Sequence, residues 1–261
     1  MKTWLNNSTV IYPELSYSIV GAAMVVHNSL KPGWDERDYH RAMVAVLESR
    51  GHVVKSHDRK DLVYRGGVVD GFELDLLVDG LVILELKHLK EGFHPSHYTQ
   101  IINYLKRWDK RLGLLINYGQ EKLRYQRIPF SCSEATVDYV GEWVKLPVEV
   151  RDLIRGAVNT INSLVGCGYG AGIYKKLLMA EPGFLGVKAI NTCLAPTFSE
   201  QCFEEREVDA ISVGEDLIVR VSASSSATDL SYLKTYMKHA GAKNGMLVNL
   251  NHHEMQLRGV R

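Results

Sequence analysis

"FELDLLVDGLVILELKHL", residues 72–89, is the stretch whose reading decides the fold. Leu76, Leu77, Val78, Leu81, Val82, Ile83, Leu84 and Leu86 give it the apolar pattern of buried strands. Asp75, Glu85 and Lys87 interrupt that pattern. A charge inside a buried strand is costly unless it is paired or binds a metal. The "DG" at Asp79–Gly80 fits a tight hairpin turn. Such a turn folds Asp75 and Glu85 onto neighbouring strands, where their carboxylates converge. Glu85 and Lys87 stand two apart on a strand and so face the same side. Two hard oxygen ligands and an ammonium group on one patch suit Mg²⁺ or Mn²⁺ together with a phosphate ester. Taken alone, the stretch is equally well explained by a structural salt bridge in which Lys87 neutralises Glu85.

Outward from this hairpin the elements follow in a clear order. Residues 14–30 have helical spacing and begin after Pro13, and "KPGW" then breaks the pattern. Residues 35–50 read as a second helix, acidic in its first turn, with Gly51 as its stop. Strand-like runs follow in "HVVKSH", "LVYRGGVVDGFELDLLVD" and "LVILELKHL", then a helix over residues 96–108, then strands in "RLGLLINYG" and "KLRYQRIPF". The expected fold is therefore a mixed α/β layer, a mixed β-sheet flanked by helices.

The chain has 261 residues, room for one large domain or two modest ones. Its net charge is +1, so no global basicity announces a polyanionic partner. The balance is uneven: residues 1–130 carry 18 basic against 15 acidic side chains, and residues 131–261 carry 13 against 15. The apolar runs are far shorter than a membrane span needs. The stretch "MKTWLNNSTVIYPELS" lacks the pattern of a signal peptide, so a cytoplasmic location and no membrane partner are expected. Cys132, Cys167, Cys193 and Cys202 form no C-x-x-C pair. Reduced thiols packed in a core are expected, rather than structural zinc or a disulfide framework.

"SCSEATVDYVGEWVKLPVE" is polar and irregular and reads as a linker over 131–147. Beyond it the first half returns. "RGAVNTINSLVGCGYGAGIYKKLLM" follows "VGAAMVVHNSLKPGWDERDYHRAMV" at a constant offset of 135, so that Gly156 meets Gly21, Gly168 meets Gly33 and Tyr174 meets Tyr39. "REVDAISVGEDLIVRVSA", "YLKTYMKHAGAKNGMLVNL" and "HHEMQLRGV" echo later blocks in the same order, the first with about one extra residue in its turn. An ordered series of this kind implies two copies of one fold, over 1–130 and 148–261.

Further candidates join the charged strand. Glu36 opens the second helix. His97, Gln100 and Tyr104 share one face of the helix that precedes "RLGLLINYG". Each has a plain structural explanation alone: a helix-start carboxylate, a cap or surface histidine, a solvated amide, a core tyrosine. Together they form G-x-x-E … D-x9-E-x-K … Q-x3-Y. That pattern resembles the PD-(D/E)XK nuclease superfamily, and Gln100-x3-Tyr104 is similar to its RecB/Cas4-like branch. "GWDERDY", "YRGGVVDGFELDLLVDGLVILELK", "HYTQIINYLK" and "RLGLLINYG" resemble the small bacterial GxxExxY family. The resemblance covers residues 14–130. It implies Asp75, Glu85 and the Leu86 carbonyl as metal ligands, with Glu36 binding a second metal or a water. It implies Lys87 as the group that orients water or stabilises transition-state charge, with Gln100 and Tyr104 positioning Lys87 or the phosphate. The cofactor implied is Mg²⁺ or Mn²⁺, the partner nucleic acid (DNA before RNA), and the reaction phosphodiester hydrolysis.

At the matching places the second copy keeps Asp209 for Asp75 but has Ala171 for Glu36, Arg220 for Glu85, Ser222 for Lys87 and Tyr232 for Gln100. A one-residue slip would bring Val219 and Val221 to the Glu85 and Lys87 sites instead. A degenerate, inactive copy is expected, serving as a fused pseudo-twofold partner, with further oligomerisation left open. With one intact site the chain should nick, trim ends or cut single strands. The alternative is a non-catalytic nucleic-acid-binding or protein-assembly module that retains the fold.

Overall fold

The computed structural model describes residues 10–131, 136–199, 201–223, 226–250 and 255–261. Residues 1–9, which were read for a leader, and Cys132 lie outside them. The chain divides into two compact units, Met1–Lys60 with Phe72–Ser131, and Asp61–Gly71 with Cys132–Arg261.

Residues 10–131 run α1 (Pro13–Leu30), α2 (Glu36–Ser49), β1 (Val54–Ser56), β2 (Arg59–Tyr64), β3 (Gly67–Glu73), β4 (Leu76–Val78), β5 (Val82–Lys87), α3 (Pro95–Trp108), β6 (Leu112–Asn117) and β7 (Arg124–Pro129). The run read as one long strand-like segment splits into β2, β3 and β4. The Arg65–Gly66 turn separates β2 from β3, which pair as a two-stranded ribbon, and a bend at Asp75 separates β3 from β4. The tip of the ribbon, 61–71, belongs to the second unit. The remaining five strands form one sheet in the order β1-β4-β5-β6-β7, with β5 and β6 parallel and their neighbours antiparallel.

Parallel strands in the middle of a covered sheet are apolar on both faces, and every residue of β6 is buried. Val82, Leu84 and Leu86 of β5, with Leu112, Leu114 and Ile116 of β6, join the core built on α1 and α2 through Ile19, Val26, Met43 and Leu47. Side chains alternate along a strand, so Ile83, Glu85 and Lys87 face the other way. There α3 lays Ile101 and Leu105 against Gly113, which pairs with Ile83. Asp79 and Gly80 both take left-handed φ, 51° and 67°, as the tight turn between β4 and β5 requires.

The second unit runs β8 (Val137–Gly141), a 3-10 turn at Trp143–Lys145, α4 (Val148–Leu164), α5 (Ala171–Met179), α6 (Pro182–Gly186), β9 (Ile190–Leu194), β10 (Thr197–Phe198), β11 (Gln201–Cys202), β12 (Arg206–Val213), β13 (Leu217–Ser222), α7 (Ala227–Ala240), β14 (Asn244–Leu250) and β15 (Met255–Val260). Its sheet order, β8-β15-β14-β13-β12-β9, repeats the first with one strand added. That strand, β8, lies inside the stretch read as linker. It is amphipathic enough to pair in parallel with β15, Val137 against Met255 through Gly141 against Gly259.

Of the cysteines, Cys167 is buried, but Cys193 and Cys202 are exposed and free, not packed in a core as expected. Both stand on the short strands β9 and β11. Among the described residues no helix is long and apolar enough to cross a membrane.

Candidate active site

The hairpin brings the charged residues of the first unit together. Asp75 sits in the bend before β4, and its Oδ2 accepts the Leu86 amide at 2.7 Å. On β5, the Lys87 ammonium donates to Glu85 Oε1 at 2.6 Å. The sequence left a salt bridge and a reactive site open, and the salt bridge is present. It does not satisfy Glu85, however. Glu85 is 1% exposed, and its Oε2 is buried with no partner among the described residues. An unmatched carboxylate oxygen costs more than one ion pair returns.

The electrostatics show the same shortfall. Burial, then the Asp75 charge, push the Glu85 carboxyl up to about 8, against the pull of Lys87. Burial raises Asp75 above the ordinary carboxylate range, held back by the Leu86 amide and Lys87. Glu36, at the solvent-facing rim, is raised by partial burial and by Asp75, against Lys87 and His88. Burial works against the charge on Lys87, but Glu85 outweighs it and the ammonium is held above its usual value. Three mutually repelling carboxylates share one lysine, and a hard divalent cation would relieve that imbalance. The donor chemistry therefore fits such an ion. Among the described residues, no group of three or more His, Cys, Asp and Glu side chains is already arranged to hold one.

From α3, Gln100 donates to the Tyr104 hydroxyl at 2.9 Å, as their one-turn spacing suggests. Tyr104 is buried and raised to about 12, first by desolvation and then by the carboxylates of Glu85 and Asp75 despite the Gln100 bond. His97 is lowered by burial and by the nearby Lys87 charge, and one of its ring nitrogens is spent on its own helix. Its Nδ1 accepts the His94 amide at 3.0 Å, so it caps its own helix.

A cleft of about 200 Å³ opens beside Asp75 and is lined by Glu36, Arg37, His40, Arg41, His57, Asp75 and Leu86. Sequence reading missed Arg37, His40, Arg41 and His57. The signal for His40 was present, because the position four after Glu36 lies on its side of α2, and Arg37 and Arg41, themselves four apart, share a neighbouring face. His57 was not legible; it arrives from the end of β1, where its amide donates to the Asp75 carbonyl at 3.1 Å. The His40 and His57 rings stack with centroids 4.5 Å apart.

Gly33 and Tyr39 have a different task. The Tyr39 hydroxyl donates to the Lys31 carbonyl at 2.7 Å and accepts the Trp34 amide at 3.3 Å. It pins the loop between α1 and α2, where Gly33 has φ 129°. In the second unit Tyr174 donates to Gly166 at 2.8 Å and accepts the Tyr169 amide at 3.2 Å, with Gly168 at φ 111°. Each partner is offset by the same 135 residues. The loop peg persists where the carboxylate between its two ends, Glu36, has become Ala171.

The strand registers fix the rest of the second site. Val82 pairs with Leu112 at the start of β5, and Leu217 with Asn244 at the start of β13. Arg220 and Ser222 therefore stand at the Glu85 and Lys87 places, without a slip. The antiparallel registers correct one equivalence. Val78 pairs with Val82 and Val213 with Leu217, so both turns hold three residues and no extra one. Counted back from there, Asp75 corresponds to Ala210, and Asp209 lies one position earlier.

Asp209 still reaches the centre. Arg220 donates to its Oδ2 at 3.1 Å and its carbonyl at 2.8 Å, and to Asp229 Oδ1 at 2.9 and 3.1 Å. Asp229, which sequence reading missed, also accepts Ser222 and Ser226, each at 2.7 Å. Burial opposes its charge, but these hydroxyls and Arg220 outweigh it and hold the carboxyl below its ordinary value. A guanidinium built into the chain thus satisfies the second unit's carboxylates.

Comparison with known proteins is consistent with this geometry. The family model described as the PD-(D/E)XK nuclease superfamily matches residues 13–128 and again residues 148–261. Nucleases of that superfamily generally use divalent metal ions. No curated protein matches the sequence. A solved structure titled "Crystal structure of SSO0001" shares 17% identity over 47% of this chain and 59% of its own length, with a TM-score of 0.30. At that TM-score it bears no weight here.

Proposed function

We propose a specific activity on one premise: the chain belongs to the PD-(D/E)XK nuclease superfamily. The proposed activity is metal-dependent hydrolysis of nucleic-acid phosphodiester bonds at a single site in the first copy, residues 1–130. The observation that carries it is Glu85, a carboxylate 1% exposed with one oxygen unmatched, beside Asp75 and Lys87. A fold kept only for structure has no use for that cost, and the second copy has replaced the same position with a self-satisfied arginine.

Asp75, Glu85 and the Leu86 carbonyl would hold Mg²⁺ or Mn²⁺, with Glu36 holding a second ion or a water. Such an ion, when bound, makes water a better nucleophile and draws charge from the phosphate. Lys87 orients the attacking water and stabilises charge on the phosphorane-like transition state. The Gln100–Tyr104 pair fixes the phenol on the side that Lys87 faces. Gly33, Glu36 and Tyr39 support placing the first copy with the GxxExxY proteins, and Gln100 and Tyr104 support the RecB/Cas4-like branch. A chain with one such site nicks duplexes, trims ends or cuts single strands.

One observation favours a second reading, a non-catalytic nucleic-acid-binding or protein-assembly module: no three-donor metal group is preformed among the described residues. Cleavage of end-labelled linear duplex, single-stranded DNA and RNA decides between them. It is run with Mg²⁺, Mn²⁺ or EDTA beside Lys87→Ala. Metal-dependent cleavage lost in the variant supports the nuclease; silence on every substrate supports the module.

A further inference from the structure

The cleft beside Asp75 is lined by two carboxylates, Glu36 and Asp75, and by four basic side chains, Arg37, Arg41, His40 and His57. An anionic substrate approaching the carboxylates meets repulsion unless cations stand close by. The two histidines are already engaged: His40 Nε2 lies 3.2 Å from the Asp75 carbonyl oxygen, and His57 Nδ1 lies 3.3 Å from Glu73. Arg37 and Arg41 are exposed and have no hydrogen bond or ion pair among the described residues. Two unspent guanidinium groups one helical turn apart, backed by a stacked imidazole pair, suit phosphate oxygens, which the planar fork of arginine binds in pairs.

The second copy supplies an internal control. At the constant offset, Arg37 becomes Gly172, His40 becomes Lys175, Arg41 becomes Lys176 and His57 becomes Thr192. Lys175 lies 3.6 Å from Glu207, and Lys176 donates to Asp70 at 2.7 Å. Thr192 is buried against the Ser212 hydroxyl at 2.9 Å. Every basic residue of the first copy's cleft is there absent or neutralised, in the copy that also lacks the carboxylates at the Glu36, Asp75 and Glu85 places.

We infer that Arg37 and Arg41, supported by His40 and His57, form a phosphate-gripping wall that holds a nucleic-acid backbone at the reaction centre without reading its bases. This deepens the nuclease reading and rests on it for the polymer concerned. The test is fluorescence anisotropy of a fluorescein-labelled single-stranded DNA in EDTA across a salt series. It compares the wild type, Arg37→Gln/Arg41→Gln and Arg37→Lys/Arg41→Lys. Each phosphate contact on a single strand contributes about 0.7 to the slope of log affinity against log salt. The glutamine variant should lose about 1.4 of that slope. The lysine variant should keep the slope and bind more weakly. An unchanged slope in the glutamine variant overturns the proposal, and so does a wild type that does not bind at low salt. Cleavage with Mg²⁺ or Mn²⁺, lost in Asp75→Asn, is scored separately, so a failed grip and a failed nuclease reading give different results.

Discussion

Replacing Glu85 with glutamine should stabilise the metal-free protein while abolishing the proposed activity. Glu85 titrates at about 8 in the folded chain against an ordinary 4.5. A carboxyl raised in this way leaves stability intact below 4.5 and removes it as the pH climbs towards 8. At pH 7 the climb has covered roughly two and a half units, each worth about 1.4 kcal/mol, so on the order of 3 kcal/mol is lost. Glutamine keeps the shape and cannot ionise. The raised value is already net of the pull of Lys87, so losing that partner takes nothing further from the gain. The expected gain is about 3 kcal/mol at pH 7, larger at pH 8 and near zero at pH 4.5. Urea midpoints in EDTA at these three pH values measure it. A glutamine variant less stable than wild type at pH 7, or a gap that ignores pH, would refute the reasoning. Glu85 and Lys87 would then be an ordinary stabilising ion pair.

Other consequences can be checked alongside. Binding of Mg²⁺ or Mn²⁺ at pH 7 should displace roughly 0.9 proton from Glu85, and far less at pH 9, read by calorimetry in buffers of different ionisation enthalpy. Tyr39→Phe and Tyr174→Phe should each cost about 1–2 kcal/mol in chemical denaturation, because each removes the same two hydrogen bonds from a loop. Arg220→Ala should destabilise the chain by about 3–5 kcal/mol at neutral pH, since it strands the buried Asp229. Asp229 is held low, so its contribution is present at neutral pH and is lost as the pH falls below its ordinary 3.8 towards its folded value. The Arg220→Ala deficit should therefore shrink in strong acid.

The core strands were legible because burial on both faces leaves continuous apolar runs, as in Val82–Leu86 and Leu112–Ile116. The duplication was legible because the loop pegs Gly33–Tyr39 and Gly168–Tyr174 recur at one spacing. The Glu85–Lys87 pair followed from the period of a strand, and Gln100–Tyr104 from the period of a helix. What escaped depends on partners distant in sequence. β8 finds its place only by pairing with β15, so its polar residues read as linker. The turn before β13 was thought a residue longer, which concealed that Ala210, not Asp209, matches Asp75. Asp229 was missed because its partner Arg220 comes from another element. His57 was missed because nothing in "HVVKSH" signals that its backbone holds the bend at Asp75.

The loop peg described for Tyr39 and Tyr174 bears on how such chains are counted in genomes. Gly33 and Tyr39 hold a loop and recur as Gly168 and Tyr174, whereas Glu36 between them does not recur, Ala171 standing in its place. A search scored on the glycine and tyrosine would tally two copies in this one chain. A search scored on Glu36, Asp75, Glu85 and Lys87 would tally one. Surveys that rank relatives by the first pair will count more copies than carry the full set of charged residues, and the gap between the two tallies estimates how often one copy of a duplicated pair has lost that set.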